Sequence, residues 1–338
     1  MKDVMKSSGT ENLAPLGLVV ERALEQMKEH VVTQNDNTNI QDLTFALDSL
    51  LEHIHINKPK EANKLFPLGK GSCVYTGFID IDNHLQGIHP GELIVIGSRP
   101  AMGKTSFALN IAKYASMDKK KNVAVFTLEM PRKYIAMRVL CQEALVNPLH
   151  AQLKKLTTDE WGRITEAAVR AMTTPMYIDD TPGLTPAQIR SRSLQLMENK
   201  GLDLIVVDYL WLMKSDEKMN NKEITSELKA IALELNVPII VTAQLKRADI
   251  NRPDKRPVLN DLSSSKFIEK NADVIMLLYR EGYYNCFLED PERNICEVII
   301  ITQSDNHLKT VELFWLDNLL LFANISEKTD QENNEDYP

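Results

Sequence analysis

The stretch GELIVIGSRPAMGKTSFALN, residues 91–110, decides the reading of this chain. Leu93–Ile96 is an unbroken apolar run that ends in Gly97-Ser98, the pattern of a strand buried on both faces. A short loop leads to Gly103-Lys104-Thr105, and helical spacing follows. Strand, loop and helix are the context that a P-loop, G-x-x-x-x-G-K-[ST], requires. The register puts Ser98 at the first position, then Arg99, Pro100, Ala101 and Met102. Serine in place of glycine is a mild departure, since a small residue can still make that turn. Backbone N–H groups of the loop and of the helix start, as far as Ser106, are suited to cradle phosphates. Lys104 is expected to reach the β- and γ-phosphates of ATP, and the Thr105 hydroxyl to join a Mg²⁺ shell.

Outward from this loop, apolar runs alternate with helical segments. The runs are Leu93–Ile96, Val123–Leu128, Met176–Ile178, Leu204–Val207, Ile239–Thr242, Val274–Leu278, Val298–Ile301 and Val311–Trp315. Helices are expected near 104–117, 131–146, 158–171, 185–199 and 222–236. Such alternation implies an α/β fold: a mostly parallel sheet with helices on both faces. The last strands lack helices between them and predict an antiparallel C-terminal extension. Residues 1–70 read as a helical linker and oligomer-contact region, with amphipathic spacing over Leu16–Val32 and over roughly 40–55. Residues 71–325 read as the nucleotide-binding domain. The acidic tail 326–338 is expected to be disordered.

Composition narrows the classes. The chain has 338 residues, 43% of them hydrophobic, with a formal net charge of −8. The acidic balance argues against a protein that coats nucleic acid through its whole surface, and leaves room for a local basic channel. None of the apolar runs approaches the roughly 20 residues of a bilayer span. Four cysteines without a Cys-x-x-Cys spacing read as free thiols. The expectation is a cytoplasmic protein with no membrane partner.

Polar residues at strand ends supply the remaining chemistry. Asp208 closes the apolar run of LDLIVVDY, where a carboxylate can hold Mg²⁺ through water. Glu129 follows the run of VAVFTLEM and is suited to orient or deprotonate an attacking water. Gln244 ends IIVTAQ, from which it could sense a γ-phosphate. Each also has a plain structural reading, as a helix cap, an acidic helix start or a polar strand end.

The motifs IGSRPAMGKTSFALNIA, FTLEMP, YIDDTPGLTPAQIRSRS, VVDYLWLM, LKAIALELNVPIIVTAQL, DKRPVLNDL and IEKNADVIMLLYRE come in an order that resembles the DnaB-type replicative helicase motor. The resemblance runs from about Val74 to Val311, and weakly through 40–55, which looks like that family's linker helix. It implies a RecA-like P-loop NTPase core, a hexameric ring with ATP-Mg²⁺ at subunit interfaces, and 5′→3′ movement on single-stranded DNA during DNA replication. By match, Lys104 and Thr105 look like the Walker A pair, Glu129 the catalytic carboxylate, Asp208 the Walker B acid and Gln244 the sensor. Arg280, in LLYRE, falls near the nucleotide.

Three departures matter. The family normally has an N-terminal helical domain that engages primase; only about 70 residues precede the motor here, so primase is not expected as a partner by that route. The family's last motif reads Gly-Lys-Gln-Arg-Asn-Gly, whose Lys and Arg reach into the neighbouring subunit's site. Here the Lys position holds Thr302 and the Arg position Ser304, and neither can donate positive charge. An arginine finger is worth ~10³–10⁵ in rate. Finally, the DNA-contacting loop, typically Arg-Glu-Ser-Gly, reads Ser263-Ser264-Ser265-Lys266. Ser263, Ser264 and Lys266 are the expected contacts to single-stranded DNA, weaker than an arginine would make.

Two readings follow. One is an autonomous helicase motor in a homo-hexamer. The other is a degenerate paralogue that binds ATP, hydrolyses it poorly and assembles with an authentic helicase in a mixed ring. A recombinase would share the core, but DYLWLM and DDTPGLTP favour the helicase group.

Overall fold

The computed structural model describes residues 73–213, 223–246, 252–262, 265–285, 287–303 and 308–325, and the backbone of 41–42. The strands are β1 (Gln41–Asp42), β2 (Leu93–Ser98), β3 (Val123–Thr127), β4 (Met176–Asp179) and β5 (Leu204–Asp208), then β6 (Ile239–Gln244), β7 (Val274–Tyr279), β8 (Ile295–Thr302), β9 (Leu308–Leu316) and β10 (Leu321–Asn324). They form one sheet in the order β1-β4-β3-β5-β6-β2-β7-β8-β9-β10.

From β4 to β7 every pairing is parallel, and β2 lies between β6 and β7. Successive side chains on a strand point to opposite faces, so a strand covered on both sides must be apolar throughout. Ile94 and Ile96 join one core cluster, with Val123, Val125, Leu204 and Val206. Leu93 and Val95 join the other, with Ala124, Phe126, Ile205 and Val207. The unbroken apolar runs of the sequence are the record of these two cores.

Two of the helices that cover the sheet, Thr158–Met172 and Pro186–Lys200, start where the chain supplies caps. Thr157 and Thr185 each accept from the backbone N–H three residues on, and Glu160 and Gln188 reciprocate. Each cap of this kind is worth about 1 kcal/mol. Pro186 occupies the first turn of its helix, where its missing N–H costs nothing.

Beyond β7 the sheet turns antiparallel through β8, β9 and β10, with only the short helical turns Glu281–Tyr284 and Glu292–Asn294 between β7 and β8 and no long crossover helix. This extension folds back beneath the phosphate loop. Phe107, on the helix Lys104–Lys113, stacks on Phe78 at 5.0 Å and meets Phe322 edge-on at 5.2 Å. Trp315 lies 4.6 Å from Phe322. The Asn110 side chain accepts from the Phe322 N–H at 2.8 Å, and Gln142 donates to the Leu320 carbonyl at 2.7 Å. Cys141 and Cys296 are free, and burial pushes both thiols up to about 12, so they stay protonated and inert.

Some elements differ from expectation. Within the helix expected over roughly 40–55, Gln41 and Asp42 are instead strand, pairing antiparallel with Ile178 and Tyr177, and the rest lies outside the described residues. The helix near 104–117 is α-helical to Lys113 and then widens into a π turn over Tyr114–Asp118. Ser265 and Lys266, expected in a loop, open a helix over Ser265–Asn271. The linker reading of 1–70 and the acidic tail also lie outside the described residues.

Candidate nucleotide site

The C-terminal ends of β2, β3, β5 and β6 bring the chemistry to one edge of the sheet. Ser98, the last residue of β2, is fully buried, and its hydroxyl donates to the Arg99 carbonyl at 2.9 Å. Its φ is not positive, so glycine is not required there. Positive φ is needed at Ala101, at 63°, and at Gly103, at 101°. At Gly103 space agrees with conformation: a Cβ would come within 2.9 Å of the Phe322 ring and 3.2 Å of Trp315. The loop therefore closes on the aromatic floor and opens into the helix Lys104–Lys113, whose N-terminus favours an anion. Met102 is buried and Pro100 exposed, so Met102 anchors the loop from below.

Lys104 and Thr105 meet two carboxylates here. The Thr105 hydroxyl donates to Asp208 at 2.8 Å. Thr242 on β6 donates to the other oxygen of Asp208, so the buried carboxylate is satisfied by two neutral donors. Lys104 lies 3.5 Å from Glu129 and 3.8 Å from Asp208, with its ammonium 4.7 Å above the Tyr209 ring. Burial, then the charges of Glu129 and Asp208, raise the Tyr209 hydroxyl above its ordinary value, so it stays neutral. The Thr127 hydroxyl bridges the N–H and carbonyl of Met130, a turn that sends Glu129 half into solvent. Gln244 ends β6 opposite Ser98 in register and is exposed.

A hydroxyl and a carboxylate set side by side are hard oxygen ligands, the donor chemistry that Mg²⁺ accepts together with phosphate oxygens and water. Among the described residues no group of three or more His, Cys, Asp or Glu could hold a metal ion by itself. Thr105 and Asp208 fit Mg²⁺ as two members of such an oxygen set.

This arrangement can be set beside known proteins. The family model described as DnaB-like helicase C terminal domain matches residues 73–324. The chain belongs to this family. It is 37% identical over 269 residues to the replicative DNA helicase DnaB of Geobacillus stearothermophilus, covering 78% of this chain and 59% of that protein. It is 35% identical over 309 residues to the replicative DNA helicase DnaC of Bacillus subtilis, covering 88% and 65%. A solved ATPase domain superposes with a TM-score of 0.70 at 30% identity, covering 86% of this chain and all of that one. A DnaB-like replicative helicase, solved in a study of its interactions with primase, gives a TM-score of 0.70 at 29% identity, covering 83% of this chain and 71% of that one. The chain spans about three fifths of the length of the curated relatives it matches, 59% and 65% for these two. The fold is thus the RecA-like α/β core of the DnaB-like family.

The family motifs carry further residues to the loop. Arg280, just after β7, is buried and donates to the Ala101 carbonyl at 3.3 Å, with its guanidinium 4.8 Å over Trp315. It braces the loop from behind. Burial lowers its pKa, opposed by Asp317, whose carboxylate lies 3.9 Å away. Arg99 is in the loop, but its side chain engages Asp261, Tyr284 and the Lys255 carbonyl. The expected DNA contacts divide: Lys266 is exposed on its helix, and Ser263 and Ser264 lie outside the described residues. Thr302 ends β8 opposite Val274, half-buried, and Ser304 lies outside the described residues.

Sequence reading missed Thr242, Tyr209 and Arg138. Arg138 sits in the helix Arg132–Ala144 among buried neighbours Ile135–Met137 and Val139–Cys141. Burial lowers its pKa, and the charges it feels in opposition are Asp208 and Glu129. A lone cation inside so apolar a helical stretch was the available signal.

Proposed function

We propose that this chain is the ATP-dependent motor of a DnaB-type replicative helicase, coupling ATP-Mg²⁺ hydrolysis to movement on single-stranded DNA. The observation that carries the reading is the cluster of Lys104, Thr105, Glu129 and Asp208, held within 2.8–3.8 Å at the C-terminal edge of the parallel strands. Ligands of open α/β sheets bind at that edge. Lys104 leaves the two carboxylates for the β- and γ-phosphates. The Thr105 hydroxyl and Asp208 would hold Mg²⁺, which when bound would neutralise charge on the phosphoryl oxygens. Glu129, the more exposed carboxylate, accepts a proton from the attacking water. Gln244 reports the γ-phosphate from the neighbouring strand. Arg138 offsets the two carboxylates, and Arg280 braces the loop that holds the phosphates. The Lys266 segment touches the DNA backbone, and copies of the chain assemble as a hexameric ring.

A second reading is favoured by Thr302. It ends β8 where the family resemblance calls for a lysine, and the nearby Lys309 pairs with Ile300 further along β9. In that reading the chain binds ATP, turns it over slowly, and gains its missing cations from an authentic helicase in a mixed ring. The deciding experiment is single-stranded-DNA-stimulated ATPase of the chain alone and mixed with its host's full-length helicase, with Lys104→Ala as control. Robust Lys104-dependent turnover alone sinks the degenerate reading; turnover only in the mixture sinks the autonomous one.

A further inference from the structure

Arg99 belongs to the phosphate loop by sequence, yet its guanidinium is committed elsewhere. It is 5% exposed. Its Nη2 donates to Asp261 at 3.0 Å, and its Nη1 donates to the Tyr284 hydroxyl at 3.0 Å and to the Lys255 carbonyl. Asp261 is in turn a meeting point. Its carboxylate also accepts from Arg252 at 2.9 and 3.1 Å and from the Val258 N–H at 3.2 Å. Its backbone carbonyl accepts from the N–H of Lys246 at 2.9 Å, just beyond Gln244. The next residue, Leu262, bridges Leu245. A Cβ placed on Gly97 would come within 3.3 Å of both leucines, so this segment also lies tight against the end of β2. A short step further along the chain begins the helix Ser265–Asn271, with Lys266 exposed on it. Gln303 holds the far end of that helix, donating to the Glu269 and Lys270 carbonyls at 2.9 and 3.0 Å.

We infer that Asp261 is a positioning residue that passes occupancy of the phosphate loop, through Arg99, to the turn Val258–Leu262 and the helix that bears Lys266. Nucleotide binding must draw Lys104 off Glu129 and Asp208, and the loop that carries it begins at Arg99. A rearrangement there cannot leave Asp261 behind, because parting the two would strand buried charge. The link is the single charge-assisted contact from Nη2 to the carboxylate, while Nη1 holds Tyr284 and the Lys255 carbonyl. Asp261 also takes its backbone support from the strand that ends in Gln244. The turn therefore responds to both the phosphate loop and the strand beside it.

The inference rests on the nucleotide-binding half of the proposed function and is independent of the DNA half. The test is amide hydrogen exchange on the full chain, with and without a slowly hydrolysed ATP analogue and Mg²⁺, alongside fluorescent-ADP binding. In the wild type, nucleotide is expected to slow exchange across 258–271. In Asp261→Asn that slowing is lost while fluorescent ADP still binds, and Asp261→Glu regains part of it. A merely structural strut would give faster exchange in both states with the nucleotide-induced difference intact, and that result overturns the inference. So does a wild-type chain that binds nucleotide without slowing over 258–271. A wild-type chain that binds no nucleotide overturns the functional reading, and the relay with it.

Discussion

Two cations border one phosphate loop, and they are held in opposite ways. Lys104, at the helix start, keeps 13% of its side chain exposed and makes ion pairs of 3.5 and 3.8 Å to two different carboxylates. Arg99, at the strand end, is 5% exposed and spends its guanidinium on a 3.0 Å ion pair, a tyrosine hydroxyl and a carbonyl. At 3.5 and 3.8 Å neither contact is a close hydrogen bond, and the Glu129 side chain is half exposed, so Lys104 can change partners more readily than a closely bonded cation. Removing one partner of a buried pair costs ~3–5 kcal/mol, so Arg99 is fixed. A residue that must meet an arriving phosphate needs the first kind of bonding. A residue that keeps the loop attached to the rest of the fold needs the second.

The sharpest way to break this contrast is Lys104→Ala. Turnover is expected to fall by ~10²–10³-fold, the scale of removing one preorganised donor to developing charge. The thermal midpoint should hardly move. Steady-state ATPase and calorimetry on the same preparation check both halves, and a large drop in the midpoint would erase the distinction.

Arg99→Met should do the reverse at the level of stability. A loss of about 3 kcal/mol is expected, at the low end for a broken buried pair, since Arg252 still neutralises Asp261. In a domain of this size that lowers the midpoint by about 5–10 °C.

Gly103→Ala tests the ground between the two cations. The methyl would sit at a φ of 101° and 2.9 Å from Phe322. A cost of about 1–3 kcal/mol is expected. It should appear in nucleotide affinity as well as in unfolding, because the strain lies in the loop itself.

The smallest effect is on acid stability. Burial alone would raise the Asp261 pKa, but the Arg252, Val258 and Arg99 contacts outweigh it and leave the group below its ordinary 3.8. A depressed carboxylate contributes stability above its unfolded pKa and loses it as pH falls through the folded one. Asp261→Asn should therefore flatten the acid limb of unfolding below about pH 4, and a limb of unchanged slope would show that Arg99 is balanced elsewhere.

Much of the parallel core was legible because double-sided burial writes itself as consecutive apolar residues. Leu93–Ser98 and Leu204–Asp208 could hardly be read otherwise. The helices Ile79–Leu85 and Glu281–Tyr284 were not read, being too short to show a period. Strand β10, Leu321–Asn324, was hidden because its partner comes from the β9 register and not from its own pattern. In the site, Lys104, Thr105, Asp208 and Glu129 announced themselves by spacing and by their place at strand ends. Thr242 did not, since a hydroxyl on a buried strand has no signature until its acceptor is known.

The sequence by itself determined that a phosphate loop would join a buried strand to a helix, that acids would stand at the ends of neighbouring strands, and that the sheet would turn antiparallel at its C-terminal side. These features are local, written in residues whose order and period are visible along the chain. Only the tertiary structure decided what each side chain would do there. Arg99 and Asp261 lie 162 positions apart. Only the folded sheet brings the two charges together, away from water. That contact divides the loop's two cations, leaving Lys104 on two long ion pairs and Arg99 bound in place.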